Sequence, residues 1–159
     1  MVISALLEPK HKFHESAKAA IAAIPAQATQ YISAVSLAEL SFGAKLHEAS
    51  GGMSLEKLTK IIADAATYDI LEISRHTAEE YAQLKVNIAK KYLKDIKKDR
   101  KKYLDDWIDA ITDKTLQIGE NDLWICAHAR ERNLILVTAD EKMDRIRQAD
   151  STILLKQIN

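Results

Sequence analysis

The stretch "GENDLWICAHARERNLILVTAD", residues 119 to 140, decides how the chain is read. An acid, Asp122, stands at the mouth of an apolar segment, and a second, Asp140, stands just past an unbroken hydrophobic run. "NDLWICAHARER" has helical spacing, and "LILVT" has the β-branched, apolar character of a buried strand. A helix over 122 to 132 is about 15 Å long at about 1.5 Å per residue. A strand over 134 to 138 runs back alongside it for about 13 Å. The return brings Asp140 beside the first helical turn, where Asp122 sits. Asp122 shares a helical face with Ile125, Cys126 and Ala129, so its side chain is expected to point toward the buried side.

Working outward, the rest of the chain repeats this alternation. "HESAKAAIAAIP" (14 to 25) is Ala-rich and stops at Pro25, as a helix would. "YISAVS" (31 to 36) reads as a strand and "LAELSFGAKLHEA" as the helix after it. The turn glycines Gly51 and Gly52 then precede a helix with Ser54 as N-cap and Lys57, not Glu, at N3. "DILEIS" (69 to 74) is a second strand, and "RHTAEEYAQLKVNIAKKYLKDIKK" places Ala78, Tyr81, Leu84, Ile88 and Tyr92 on one helical face. A further helical stretch is expected near "YLDDWIDAITDKTL", a short helix over "DEKMDRIRQ" and a last strand in "STILLK". Strands alternating with helices predict an α/β fold with a mainly parallel sheet.

Composition bounds the function. The 159 residues fit one domain with a real core, and 47% apolar with 29% charged residues suits a globular chain. Lys plus Arg equals Asp plus Glu at 23 each, so net charge selects no partner. The single cysteine, Cys126, excludes an internal disulfide framework and suits a reducing compartment. No apolar run approaches the roughly 18 residues of a membrane helix, and the N-terminus has no signal-peptide pattern, so the cytoplasm is the expected location. No Gly-rich phosphate loop is present.

In open α/β sheets, ligands gather beyond the carboxyl ends of the strands. Glu39, in the opening turns of the helix after strand 31 to 36, obeys the same geometry as Asp122 and Asp140. The three acids are therefore expected at one rim. Crowded carboxylates repel, and a divalent cation relieves the repulsion. Oxygen-only donors favour Mg²⁺ or Mn²⁺ over zinc. Each Asp alone also fits a structural role: the helix macrodipole favours Asp122, and "TAD" can be a turn and N-cap.

These motifs resemble PIN-domain endoribonucleases, in particular VapC-type toxins of bacterial toxin–antitoxin pairs. The resemblance rests on "ISAVSLAELSFG" (32 to 43), "TAEEYAQLK" (77 to 85), the 119 to 140 block and "KMDRI" (142 to 146). It implies a three-layer α/β/α sandwich and a metal-dependent nuclease site of four acids. Glu39, Asp122 and Asp140 match the second, third and fourth, and Thr138 matches the hydroxyl residue that often accompanies the last. It also implies an RNA substrate, a small antitoxin partner and a homodimer.

The first acid of the family ends the first strand, in a stretch like Asp-Thr-Asn followed by "xVISALL". This sequence begins "MVISALLEP", immediately after that triplet. The expectation is one PIN-like domain over 1 to 159 lacking its usual first strand, in a chain whose natural reading frame starts upstream. An intact mass of the native protein matching Met1 as the start would refute that. A longer helical segment around 94 to 118 is a second departure from the family.

The expected activity is Mg²⁺-dependent (or Mn²⁺-dependent) hydrolysis of RNA. Glu39, Asp122 and Asp140 are the expected ligands or water-positioning groups, and Asn121 and Thr138 orient them. The alternative is an inactive PIN-like module that binds RNA or a protein partner. The run "KVNIAKKYLKDIKKDRKK" (85 to 102) has nine Lys or Arg against two Asp. Its Lys94, Lys97, Lys98, Arg100, Lys101 and Lys102 are candidate RNA contacts, although charge runs are usually solvated faces. His11 and His14 read as surface residues, His128 as a packed or partly exposed helix residue, and Cys126 as core. Trp107 and Trp124 could stack on bases, with packing the commoner role for Trp124.

Overall fold

A computed structural model describes residues 5–6, 10–51, 55–65, 67–99, 101 and 103–158. Five expectations from the sequence fall outside them: the expected loss of the first strand, which rests on residues 1–4; the turn at Gly52; the N-cap at Ser54; and the RNA contacts at Arg100 and Lys102. The chain divides into two compact units, residues 1–72 with 158–159, and residues 73–157.

The N-terminal unit contains α1 (His14–Ala22), β1 (Tyr31–Ser33), α2 (Ala34–Ala49), α3 (Leu55–Ala65) and β2 (Asp69–Leu71). β1 and β2 pair in parallel, Tyr31 opposite Asp69 and Ser33 opposite Leu71. Between parallel strands the chain must cross over, and α2 and α3 make that crossover. The strand expected to reach residue 36 stops at Ser33. Its Oγ accepts from the Val35 amide at 3.1 Å, so Ser33 caps a helix instead of extending a strand. The strand expected to reach residue 74 ends at Leu71, because Ser74 likewise caps the next helix. The helix expected to run to Pro25 ends at Ala22, closed by Ala23 and Ile24 amides donating to Ala19 and Ile21 carbonyls. Among the described residues, the buried apolar side chains of this unit are mostly alanines: Ala5, Ala17, Ala20, Ala44 and Ala65, with Ile32 and Ile158.

The C-terminal unit contains α4 (Arg75–Tyr92), α5 (Ile96–Asp99), a 3-10 turn (Leu104–Asp106), α6 (Glu120–Glu131), β3 (Ile135–Thr138), α7 (Met143–Ala149) and β4 (Leu154–Gln157). β3 and β4 are parallel, from Ile135 opposite Leu154 to Thr138 opposite Gln157. The parallel α/β reading therefore holds in both units.

α4 starts with a reciprocal cap. Ser74 Oγ accepts from the Thr77 amide at 3.1 Å, and Thr77 Oγ1 accepts from the Ser74 amide at 3.0 Å. Both hydroxyls also donate to Glu131, at 3.1 and 2.5 Å. The N-terminus of α4 is thereby fastened to the C-terminus of α6, and the two helices run antiparallel. Leu84, Ile88 and Tyr92 are buried as expected. Ala78 is exposed and Thr77 takes the buried place, since the cap turns the hydroxyl inward.

The helix predicted to continue to Lys98 breaks at Leu93, whose side chain turns into the core with an extended backbone. Asp95 then caps α5 by accepting from the Lys97 and Lys98 amides. The helix expected near residues 103 to 116 is corrected too. After the 3-10 turn, Ile108 and Thr115 form an antiparallel bridge. The Asp109 carboxylate accepts from the Ile111 amide at 2.9 Å and from the Thr112 hydroxyl at 2.7 Å. An Asp that bonds the backbone two residues on favours a turn over a helix. Trp107 anchors the segment, buried with its Nε1 donating to the Lys101 carbonyl at 3.0 Å.

Candidate active site

The first turn of α6 sets the position of Asp122. Gly119 precedes the helix with extended backbone, and its amide donates to Asp122 Oδ2 at 3.2 Å. A carboxylate three residues into a helix satisfies one of the orphan N–H groups and meets the positive end of the macrodipole. Asp122 is half-buried. A turn further on, Cys126 is fully buried. Burial, reinforced by the Asp122 carboxylate, pushes its thiol well above the usual range. The thiol is thus an inert core group.

The end of β3 sets Asp140. Thr138 is buried, and its Oγ1 accepts from the Asp140 amide at 3.0 Å. Asp140 Oδ1 then accepts from the Lys142 amide at 2.9 Å, and the Asp140 carbonyl accepts from the Met143 amide at 3.2 Å. Cys126 Sγ lies 3.8 Å from Met143 Sδ. Contacts therefore lead from Asp122 through Cys126 and Met143 to Asp140, all within the C-terminal unit. Asp122 lies in the first turn of α6 and Asp140 just past β3, both in the C-terminal unit.

Glu39 belongs to the N-terminal unit, where it is exposed in the second turn of α2. Among the described residues no group of three or more His, Cys, Asp or Glu stands close enough to hold a metal ion. In the C-terminal unit Asp122 and Asp140 each offer a carboxylate, and Thr138 a hydroxyl that accepts from the Asp140 amide. Such an all-oxygen set suits a hard cation. Mg²⁺ commonly takes one or two carboxylates and completes its shell with water and substrate phosphate.

Sequence reasoning passed over the groups on the other side of the α6 start. Tyr81 stacks on Trp124, ring centroids 4.0 Å apart and 14° from parallel. The Tyr81 hydroxyl donates to Glu120, and Lys85 Nζ lies 2.5 Å from Glu120 Oε1. Burial is the largest single effect and works against charge on both Lys85 and Glu120, but their mutual hydrogen bond, the bonds to Tyr81 and their charge attraction together outweigh it. The ammonium pKa is raised and the carboxyl pKa lowered. For Tyr81, burial and the bond to Glu120 both raise the phenol. The signal in the sequence was the i, i+4 spacing of Tyr81 and Lys85. Trp124 therefore packs, as does Trp107.

The PIN domain pattern matches residues 1–149. The chain belongs to the PIN-domain family. No curated protein matches it in sequence. Its fold is similar to VapBC2 from Rickettsia felis, solved bound to a DNA fragment from its promoter. That match has a TM-score of 0.67 and 21% identity, over 99% of this chain and 94% of the other. It is also similar to VapBC-1 from nontypeable Haemophilus influenzae, with a TM-score of 0.63 and 20% identity, over 98% and 92% of the two chains. At such identities the likeness speaks for the PIN fold.

Around this PIN fold, the other expected residues take the following places. Asn121 is exposed beside Asp122. Lys94, Lys97, Lys98 and Lys101 are exposed, with Lys98 Nζ 3.7 Å from Asp95. His128 is buried in α6. His14 Nδ1 lies 2.7 Å from the Ala5 carbonyl, and His11 Nδ1 accepts from the Phe13 amide at 3.2 Å, so both have structural partners. Among the described residues no helix is long and apolar enough to cross a membrane.

Proposed function

We propose that this PIN-domain protein is a metal-dependent endoribonuclease, the toxin member of a VapBC-type pair. The reading is supported by the PIN-family match together with the local fixing of two acids, Asp122 in the first turn of α6 and Asp140 just past β3. Asp122 and Asp140 would hold Mg²⁺ or Mn²⁺ within the C-terminal unit. A bound divalent ion supplies an activated water and charge stabilisation on the leaving oxygen. The chain's own contribution is orientation. Thr138 holds the Asp140 backbone, Gly119 holds one oxygen of Asp122, and Asn121 adds an amide beside it. Lys94, Lys97 and Lys101, with Lys98, would attract the RNA backbone toward this end of the molecule. The expected partners are a cognate antitoxin and a second copy of the chain, and the expected compartment is the cytoplasm.

The test is cleavage of single-stranded RNA with Mg²⁺ and with EDTA, comparing the natural chain with Asp122→Asn. Activity that needs the metal and falls at least about 100-fold in the variant supports the reading, on the scale seen when one electrostatic group is removed from an active site. Undiminished cleavage by Asp122→Asn rejects it. RNA binding without cleavage by the natural chain points to the inactive-module alternative.

A further inference from the structure

Tyr81, Lys85 and Glu120 form a closed polar triangle between α4 and α6. Lys85 Nζ stands 2.5 Å from Glu120 Oε1 and donates to Tyr81 Oη at 3.0 Å, while the Tyr81 hydroxyl donates to Glu120 Oε2. One helix face thus offers an ammonium and a hydroxyl, four residues apart, to the two oxygens of a single anion. That is how such donors grip any oxyanion, carboxylate or phosphate. The triangle is open to solvent, with 26% of the Lys85 side chain and 32% of the Glu120 side chain exposed. Glu120 opens the same turn of α6 that carries Asp122. The α4–α6 contact is already sealed by Leu84, Ile88, Leu123 and Ala127, all fully buried, and by the Tyr81–Trp124 stack.

We propose that Tyr81 and Lys85 form a phosphate subsite for the RNA strand, whose seat is filled in the free protein by the Glu120 carboxylate. The proposal rests on the ribonuclease reading above and adds a binding element to it. A partly exposed ion pair contributes little net stability. A phosphodiester carries the same charge on two non-bridging oxygens and can replace the carboxylate on the same two donors. Glu120 then acts as an internal competitor that substrate must displace, which weakens binding of short or singly charged fragments most.

The experiment measures binding of a short fluorescein-labelled single-stranded RNA by anisotropy in EDTA, with a thermal melt of every variant. Glu120→Gln is expected to tighten binding about fivefold, as gaining one phosphate contact would. Glu79→Gln makes the same charge change at an exposed site on α4 and is expected to do much less. Lys85→Met should weaken binding, and the double variant Lys85→Met/Glu120→Gln should show no gain over Lys85→Met. Equal effects of Glu120→Gln and Glu79→Gln would overturn the proposal, as would a gain that survives without Lys85. If Glu120→Gln melts too low to assay, Tyr81→Phe keeps the ring stack and removes one donor. Weaker RNA binding is then expected, and unchanged binding rejects the subsite. Because EDTA silences cleavage, failure here is separate from failure of the nuclease reading, which Asp122→Asn tests alone.

Discussion

A β-carbon added at Gly119 would stand 3.0 Å from Asp122 Oδ2. The backbone there has φ −73°, which any residue adopts, so the constraint comes from the carboxylate. Gly119→Ala is expected to change stability by less than about 1 kcal/mol while displacing Asp122. Unfolding midpoints and RNA cleavage rates, measured together, check this: cleavage should fall well beyond what stability explains. The elements that carry Asp122 and Asp140 were legible in the sequence, because helical spacing marks α6 and a β-branched apolar run marks β3. The Gly119 contact was not, since it depends on the Asp122 side-chain rotamer. Cys126 gives a second residue-scale expectation. Burial and the Asp122 charge raise its thiol pKa, so Ellman's reagent should leave it unmodified in the native protein at pH 8 and titrate one thiol after denaturation.

Elements were legible where periodicity was long and hidden where capping overrode it. α4 and α6 declared themselves by apolar spacing; α6 was found close to its expected range, and α4 starts where expected but ends at Tyr92, short of Lys98. The strands came out shorter, because Ser33 and Ser74 can serve either as strand residues or as caps and the backbone N–H groups decide. The region after Tyr92 was misread as helix. Its charged, Leu-containing composition is helix-compatible, but burial of Leu93, Leu104 and Trp107 pulls the chain into turns. That is tertiary contact overriding local preference. Ser74→Ala removes a cap and one hydrogen bond to Glu131, and should cost about 1 kcal/mol in chemical denaturation. No loss would mean the α4 start is held by packing alone.

For the whole molecule, the two units are built from different material. Among the described residues the C-terminal unit buries Leu84, Ile88, Leu104, Trp107, Leu116, Ile118, Leu123, Ile146 and Ile153, against the small alanines of the N-terminal unit. Less apolar area means lower local stability. Hydrogen exchange should therefore be faster for amides of α1 and α2 than for α4 and α6, and the reverse order would contradict the packing argument. Acid should act through Asp150. Burial alone would raise its carboxyl pKa, but Thr152, Asn87 and Arg130 together hold it below the usual carboxylate range. A folded pKa below the unfolded one gives stability that is full above the unfolded value, about 3.9, and is lost as pH falls through the folded value. Asp150→Asn should flatten that part of the pH–stability curve.

If Asp122 and Asp140 act together on a divalent ion, calorimetric titration with Mn²⁺ reads it without any RNA. The expected result is a saturable binding event in the natural chain that weakens at least about tenfold in both Asp122→Asn and Asp140→Asn. Binding that survives both substitutions, or none in a folded natural chain, would contradict it.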